Sequence, residues 1–409
     1  MRLTLQLAII LCCIIKVAVA QPPTISVSKN KDKSFSNNNI LTMDDMVFDQ
    51  LITPIKATAL DTNSILIYNT DGILKSMNLK TKKINWEVKA SDADRHISGN
   101  NKFYIENGTV YIPFINGEIF ALNNQNGKIY WKSRLGIIKD EIILKGQSAQ
   151  VVNGAISLSA QSRNQNIYSI DAKNGKLIWN YKLDYPYNHL PTLTFGNKVF
   201  AQNAPYLLSF DAKTGQALYK RGFKKAMYGK PVTDGKNVFI PDESETLFAL
   251  NPDNLSILWE FKLEKGQYNI KEKIFTKDGK IYFGTTSSTE ASVYALSTAN
   301  GEKLWKTNFN ASIAYLLDKS DAIWGYTEKG LLFELDLKTG DKRSEVQLAN
   351  LPLSNLEFLS KNEVLFYSKA GLVKLNLKTK EESILLAHQK LDDNNKNDAF
   401  IKLLKNSKN

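Results

Sequence analysis

An eleven-residue phrase occurs eight times along this 409-residue chain, in copies such as ALNNQNGKIYW, SIDAKNGKLIW, SFDAKTGQALY and ALSTANGEKLW. Each copy is anchored on a short polar residue: Asn78, Asn123, Asp171, Asp211, Asn251, Ser297, Asp336 and Asn376. The anchors are 45, 48, 40, 40, 46, 39 and 40 residues apart. A unit of this length cannot bury an apolar face alone, so successive copies must stack on one another. The residue before every anchor is apolar (Met77, Leu122, Ile170, Phe210, Leu250, Leu296, Leu335, Leu375). The residue two places earlier is apolar in every copy except the first, which has Lys75. That alternation is the mark of a strand, and a β-type repeat of this period predicts an all-β fold, an eight-bladed β-propeller of four-stranded antiparallel blades.

The second half of the phrase predicts a turn. Thr or Asn stands three residues after every anchor, and Gly follows it at 127, 175, 215, 301 and 340. Gly takes positive φ without a Cβ clash, and the anchor side chain can accept backbone N–H groups, so each copy reads as a strand–hairpin–strand. Eight residues after the anchor stand Trp86, Trp131, Trp179, Trp259 and Trp305, with Tyr219, Ser344 and Ile384 in the other copies. One Trp per blade at a fixed register predicts packing between blades. A flat-ligand site would instead need these rings on the central axis. Trp324 falls outside the register, on a preceding strand of blade seven.

The first twenty residues read as an export signal: Arg2, an apolar run from Leu7 to Ile15, then Ala18-Val19-Ala20 before Gln21-Pro22. Cys12 and Cys13, the only cysteines, lie inside it, and Leu11 before Cys12 does not suit lipid attachment. The mature chain is expected to lack disulfides and thiolate nucleophiles. The expected organisation is a signal at 1–20, a polar leader at 21–54, the propeller at 55–387 and a polar tail at 388–409. Ile40 to Ile52 is a candidate ring-closing segment. The formal charge is +12, and removing Arg2 and Lys16 leaves +10. The lysines are interspersed with Asn, Asp and Glu on predicted turns, so nucleic acid is not an expected partner.

No catalytic constellation stands out. His96, His189 and His388 lie far apart in sequence, which argues against a shared zinc site. Asp44/Asp45, Asp92/Asp94 and Asp242/Glu243/Glu245 sit among polar residues and read as solvated turns, whereas acid–base pairs need a desolvated member. Catalytic, cofactor and metal residues are therefore expected to be absent, and the chain is expected not to be an enzyme.

The stretches Ile170-Asp171-Ala172-Lys173-Asn174-Gly175-Lys176-Leu177-Ile178-Trp179 and Phe210-Asp211-Ala212-Lys213-Thr214-Gly215 resemble the repeat of the pyrroloquinoline-quinone (PQQ)-like propellers, over roughly residues 55–387. Within that superfamily, the quinoprotein dehydrogenases hold PQQ and calcium on the ring axis, under a vicinal disulfide. The one vicinal pair here, Cys12-Cys13, falls in the signal. Eight repeats, the export signal and a cysteine-free mature chain are instead similar to the BamB family. That resemblance implies a periplasmic, non-enzymatic scaffold, peripheral to the outer membrane. It also implies binding to the periplasmic domains of the barrel-assembly protein BamA and contact with nascent outer-membrane proteins. The family's contact loops correspond here to Asp184–Pro191 and Arg221–Lys230, with Tyr185, Tyr187, His189, Leu190, Arg221 and Phe223 as the protein-binding candidates. Where the family carries an acidic loop, this chain has Phe223-Lys224-Lys225-Ala226. The alternatives from other classes are a quinone-dependent dehydrogenase and a periplasmic ligand sensor.

Overall fold

The computed structural model describes residues 52–387 apart from 58–60, 69–72, 91–100, 137–141, 145, 161–165, 185–189, 228, 244 and 288. All regular structure among the described residues is strand, thirty-two strands in eight antiparallel sheets of four. Each sheet is an up-and-down meander of four consecutive strands. The blades span 52–89, 104–134, 151–182, 193–222, 232–262, 268–309, 313–347 and 357–387.

Burial orders the strands radially. Second and third strands are buried almost throughout, as at Thr109–Pro113 and Glu118–Asn123. Fourth strands are the most exposed, as at Ala217–Gly222. First strands of neighbouring blades approach one another, 232–233 beside 268–277, 268–277 beside 313–319, and 52–57 beside 357–360. First strands therefore line the axis and fourth strands form the rim.

Among the described residues the core forms eight apolar clusters, each shared by two neighbouring blades. Ile119 and Ala121 of blade two, for example, meet Ile156 and Leu158 of blade three. The cluster that closes the ring joins Ile65, Ile67 and Met77 of blade one to Leu365, Tyr367 and Leu372 of blade eight. Blade eight takes all four strands from 357–387, so the ring closes by side-chain packing without borrowing a strand for that sheet. Most of the candidate closing segment, 40–51, lies outside the described residues.

The repeated phrase turns out to be a joint between blades. Each anchor caps its own hairpin: Asp171 Oδ1 accepts Lys173 N at 2.7 Å and Asn174 N at 3.2 Å, and Asn78, Asn123, Asp211, Asp336 and Asn376 repeat the pattern. At Asp211 the Thr214 hydroxyl and N–H together hold the carboxyl below its ordinary pKa. The hairpin ends in a left-handed residue four places after the anchor, such as Gly175 at φ 71° and Gly215 at φ 73°.

That glycine lies against the Trp of the preceding blade. A Cβ on Gly175 would stand 2.5 Å from Trp131, and one on Gly215 2.6 Å from Trp179. Gly127 meets Trp86, Gly301 meets Trp259 and Gly340 meets Trp305 in the same way. The indole N–H groups of Trp131, Trp179 and Trp259 donate to the carbonyls of Ala172, Ala212 and Thr298, each one residue after the next blade's anchor, at 2.8–3.0 Å. Where the Trp is missing, so is the glycine: Tyr219 precedes Leu255, Ser344 precedes Lys380, and Ile384 of blade eight precedes Lys82 of blade one. All three substitutes keep positive φ, at 58°, 61° and 57°. The turn geometry is thus common to all blades, and only the Trp face demands the absence of a Cβ.

Candidate functional site

In a meander, the first-to-second and third-to-fourth turns share one end of the ring. The second-to-third loops and the blade-to-blade connections share the other. The Asx-capped hairpins occupy the first end. So does a recess of about 310 Å³ lined by Thr233, Asp234, Thr276, Lys277, Asp278 and Gly279, where Lys277 Nζ is paired with Asp318 Oδ1 at 2.7 Å. Both candidate loops lie at the second end, as the connections from blade three to four and from blade four to five.

In the first connection, Tyr185, Tyr187 and His189 lie outside the described residues. Its flanks are fixed in position. Exposed Asp184 accepts Lys220 Nζ of blade four at 2.8 Å, and that ammonium also sits 4.4 Å from the centre of the Tyr206 ring. Leu190, at the far end, is half-buried.

The second connection is strapped down along its length. Phe223 N donates to Pro205 O at 2.8 Å, Glu243 N donates to Ala226 O at 2.9 Å, and Met227, itself buried, bridges to Asp242. The Gln202 side-chain amide, from the second strand of blade four, donates to Gly229 O. Arg221 and Phe223 are half-buried. The Arg221 guanidinium donates through Nη1 to Leu255 O at 3.0 Å and lies 5.9 Å from the Phe223 ring, which packs against Phe248 at 5.1 Å. What remains fully exposed at the tip is Lys224 and Lys225, with Glu243 on the neighbouring loop. A surface of this kind sets exposed charge beside a half-buried Arg–Phe pair on a backbone already held in place, which lowers the ordering cost of docking.

One expectation needs restating. Asp242 is not a solvated turn residue. It is buried, and its Oδ1 accepts Thr246 N at 2.9 Å, so it shapes the loop that abuts Met227. As the packing reading expects, the five Trp residues of the repeat lie on fourth strands at the rim, away from the axis. His96, His189 and His388 are outside the described residues, and among the described residues no three His, Cys, Asp or Glu side chains converge as a metal site.

Eight meander blades joined by a hairpin carrying an Asx cap and a Trp-packed turn define a PQQ-like β-propeller. A family model described as outer membrane protein assembly factor BamB matches residues 53–142, 140–343 and 204–381. The chain belongs to that family.

Relatives of that name include proteins from Moranella endobia (strain PCIT), 24% identical over 212 residues, and Yersinia pestis, 22% identical over 264 residues. These matches take in 49% and 59% of this chain, and the chain spans 52% and 63% of those relatives' lengths. The crystal structure of BamB from Moraxella catarrhalis superposes with a TM-score of 0.60 at 17% identity, covering 80% of this chain and 96% of that one. The quinohemoprotein alcohol dehydrogenase of Comamonas testosteroni gives the same TM-score at 10% identity, covering 81% and 73%. At such identities the structural likeness speaks for the fold alone, which binding proteins and enzymes share.

Proposed function

We propose that this chain is a periplasmic, non-enzymatic docking scaffold of outer-membrane protein assembly, exported by its N-terminal signal and held at the outer membrane through a protein partner. The reading is carried by the family match, which runs across all eight blades. The partner we infer is the periplasmic region of BamA, the central barrel-assembly protein, with nascent outer-membrane proteins as further contacts. The docking surface is the end of the ring formed by the connections 184–191 and 221–230. Tyr185, Tyr187, His189, Leu190, Arg221 and Phe223 are its proposed contact residues, and Lys224 and Lys225 add exposed positive charge between them.

The fold makes this surface suitable in a simple way. Blades fixed to one another by eight shared apolar clusters hold the loops at set distances, so docking orders few groups. The test is crosslinking and capture from the cell envelope with the full chain. The expected result is recovery of the barrel-assembly protein, lost when 185–189 is replaced by a Gly/Ser loop and weakened by Phe223→Ala. Capture that is unchanged in both variants, or specific dye reduction by the chain supplied with PQQ and calcium, would overturn the reading.

A further inference from the structure

The fourth strands of blades two, three and four, Ile129–Arg134, Leu177–Lys182 and Ala217–Gly222, form one stretch of the rim. Each is the outer strand of its sheet, hydrogen-bonded to a neighbouring strand on one side only. The joints set them side by side. Trp131 donates to Ala172 O, Trp179 donates to Ala212 O, and Lys220 Nζ of blade four holds Asp184 at the exit of blade three. Tyr130, Leu177, Ile178, Leu218 and Tyr219 stand out from this stretch, each 36–55% exposed. Tyr130, Ile178 and Leu218 sit where the register shifts, and such a bulge turns consecutive side chains outward. Blades three and four thus show two large apolar side chains each on their fourth strands, whereas none of the other fourth strands shows more than one.

This apolar strip is framed by charge that is not neutralised. Residues 123–134, 171–182 and 211–222 hold nine Lys or Arg against two Asp. The matching segments of blades five to eight, 251–262, 297–308, 336–347 and 376–387, hold eight basic and eight acidic residues. Both Asp residues of the basic stretch, Asp171 and Asp211, cap their own turns. Lys173, Lys176, Lys182 and Lys213 are exposed and make no ion pair among the described residues. Elsewhere on the rim the cations are engaged: Lys303 and Lys306 pair with Glu264, and Arg343 with Asp321 and Asp336. Lysine is depleted in the buried part of protein interfaces, which argues against a protein seated on this face. A bilayer accepts both components, because apolar side chains enter its interface while lysines lay their stems along it and reach anionic headgroups.

We propose that the rim of blades two to four rests on an anionic lipid surface, with Leu177, Ile178, Leu218 and the two tyrosines in the interface and the unpaired lysines at the headgroups. The strands of blades three and four run directly into the connections 184–191 and 221–230, so this contact holds the loop surface beside the bilayer. It needs no protein partner, and the two surfaces can fail separately.

The test is co-sedimentation of the exported chain, residues 21–409, with vesicles of phosphatidylcholine alone or carrying about a third phosphatidylglycerol. We expect binding to the anionic vesicles that weakens with salt, and little binding to the neutral ones. Lys173→Gln with Lys213→Gln should lower the affinity about 20–30-fold, at about fivefold per lysine. Lys338→Gln with Lys378→Gln removes the same charge from the equivalent turn positions of blades seven and eight and should change it less than about twofold. Leu177→Gln with Leu218→Gln should lower it about tenfold without altering its salt dependence, whereas Leu258→Gln on blade five should not. Unfolding midpoints of all variants are measured alongside, and loss of binding at an unchanged midpoint supports the proposal. Equal binding to both vesicle types, or equal losses from the two lysine pairs, would overturn it. So would capture of an acidic protein through Lys173 and Lys213 by a chain that ignores anionic vesicles.

Discussion

Substituting Gly215 by Ala strikes one joint between blades in two ways. The residue sits at φ 73°, a left-handed conformation, and its new Cβ would stand 2.6 Å from Trp179 Cδ2. The backbone effect costs about 1–2 kcal/mol and overpacking a filled joint about 1–3 kcal/mol, so the total is about 2–5 kcal/mol. Gly196 is the internal control. Its φ is 59°, but a Cβ there meets nothing within 4 Å, so Gly196→Ala carries the backbone cost alone, about 1–2 kcal/mol. Any loss of unfolded-chain entropy from Gly to Ala is common to both and cancels in the comparison. The assay is urea unfolding with both midpoint and slope measured, accompanied by hydrogen exchange, since a ring of eight units need not unfold in one step. A cycle with Trp179→Leu should recover part of the Gly215→Ala loss, with a coupling of about 1–3 kcal/mol. If the two alanine variants agree within about 0.5 kcal/mol, or the cycle is additive, the Trp face does not dictate glycine and the account of the joint is wrong.

Three further expectations concern other parts of the ring. Pairing Ser344→Trp with Lys380→Gly should install the missing joint between blades seven and eight, the double variant exceeding the sum of the singles by about 1 kcal/mol in unfolding experiments. Gln267 is buried and bonded to Ser292 Oγ at 2.6 Å and Tyr294 OH at 2.7 Å, so Gln267→Leu should leave polar groups unpaired and cost about 1–3 kcal/mol by thermal or urea unfolding. Burial pushes the Glu357 carboxyl up to about 7 from its ordinary 4.5, with Lys319 opposing. The native chain then holds a proton that the unfolded chain has released between those values, and stability should fall as pH rises through that window. Glu357→Gln should flatten the profile and stabilise the chain at pH 8 by about 1–2 kcal/mol.

The fold could be read from the chain because a repeat states the same physical demand eight times. The anchors, the apolar alternation and the Gly-bearing turn all lie in the hairpin that forms the third and fourth strands. The apolar alternation ending at Leu375, just before the anchor Asn376, falls in the strand Gly371–Asn376. The link between Trp and Gly was also present but ran across copies. Comparing each copy with its successor pairs Trp with Gly five times and non-Trp with non-Gly three times. Comparing positions within one copy hides that rule. The candidate surface is less legible because loops repeat no common demand. Nothing in the string Arg221-Gly222-Phe223 says that the guanidinium is spent on Leu255 O, or that Asp242 is buried.

Arg221 shows why scaffold and surface must be separated with care. The joint between blades four and five is one of three without the Trp–Gly contact, and Arg221 helps to bridge it through Leu255 O, the carbonyl of the residue standing where glycine would be. Its Nε is buried without a partner, so the guanidinium is held by its fit between Phe223 and the next blade's turn as well as by its one bond. Truncating Arg221 removes a possible partner contact and loosens the two blades that carry the loops. Loss of partner capture in Arg221→Ala therefore cannot by itself assign Arg221 to the interface. Phe223 lies on the same loop but donates its backbone N–H to Pro205 whatever its side chain, so Phe223→Ala leaves that strap intact. Lys224 and Lys225 carry no structural role in the joint, and reversing their charge tests the surface without touching the scaffold. A docking surface at this end of the ring requires that charge reversal weaken capture at unchanged unfolding midpoint, whereas a purely architectural role for the loop predicts that capture and stability fall together.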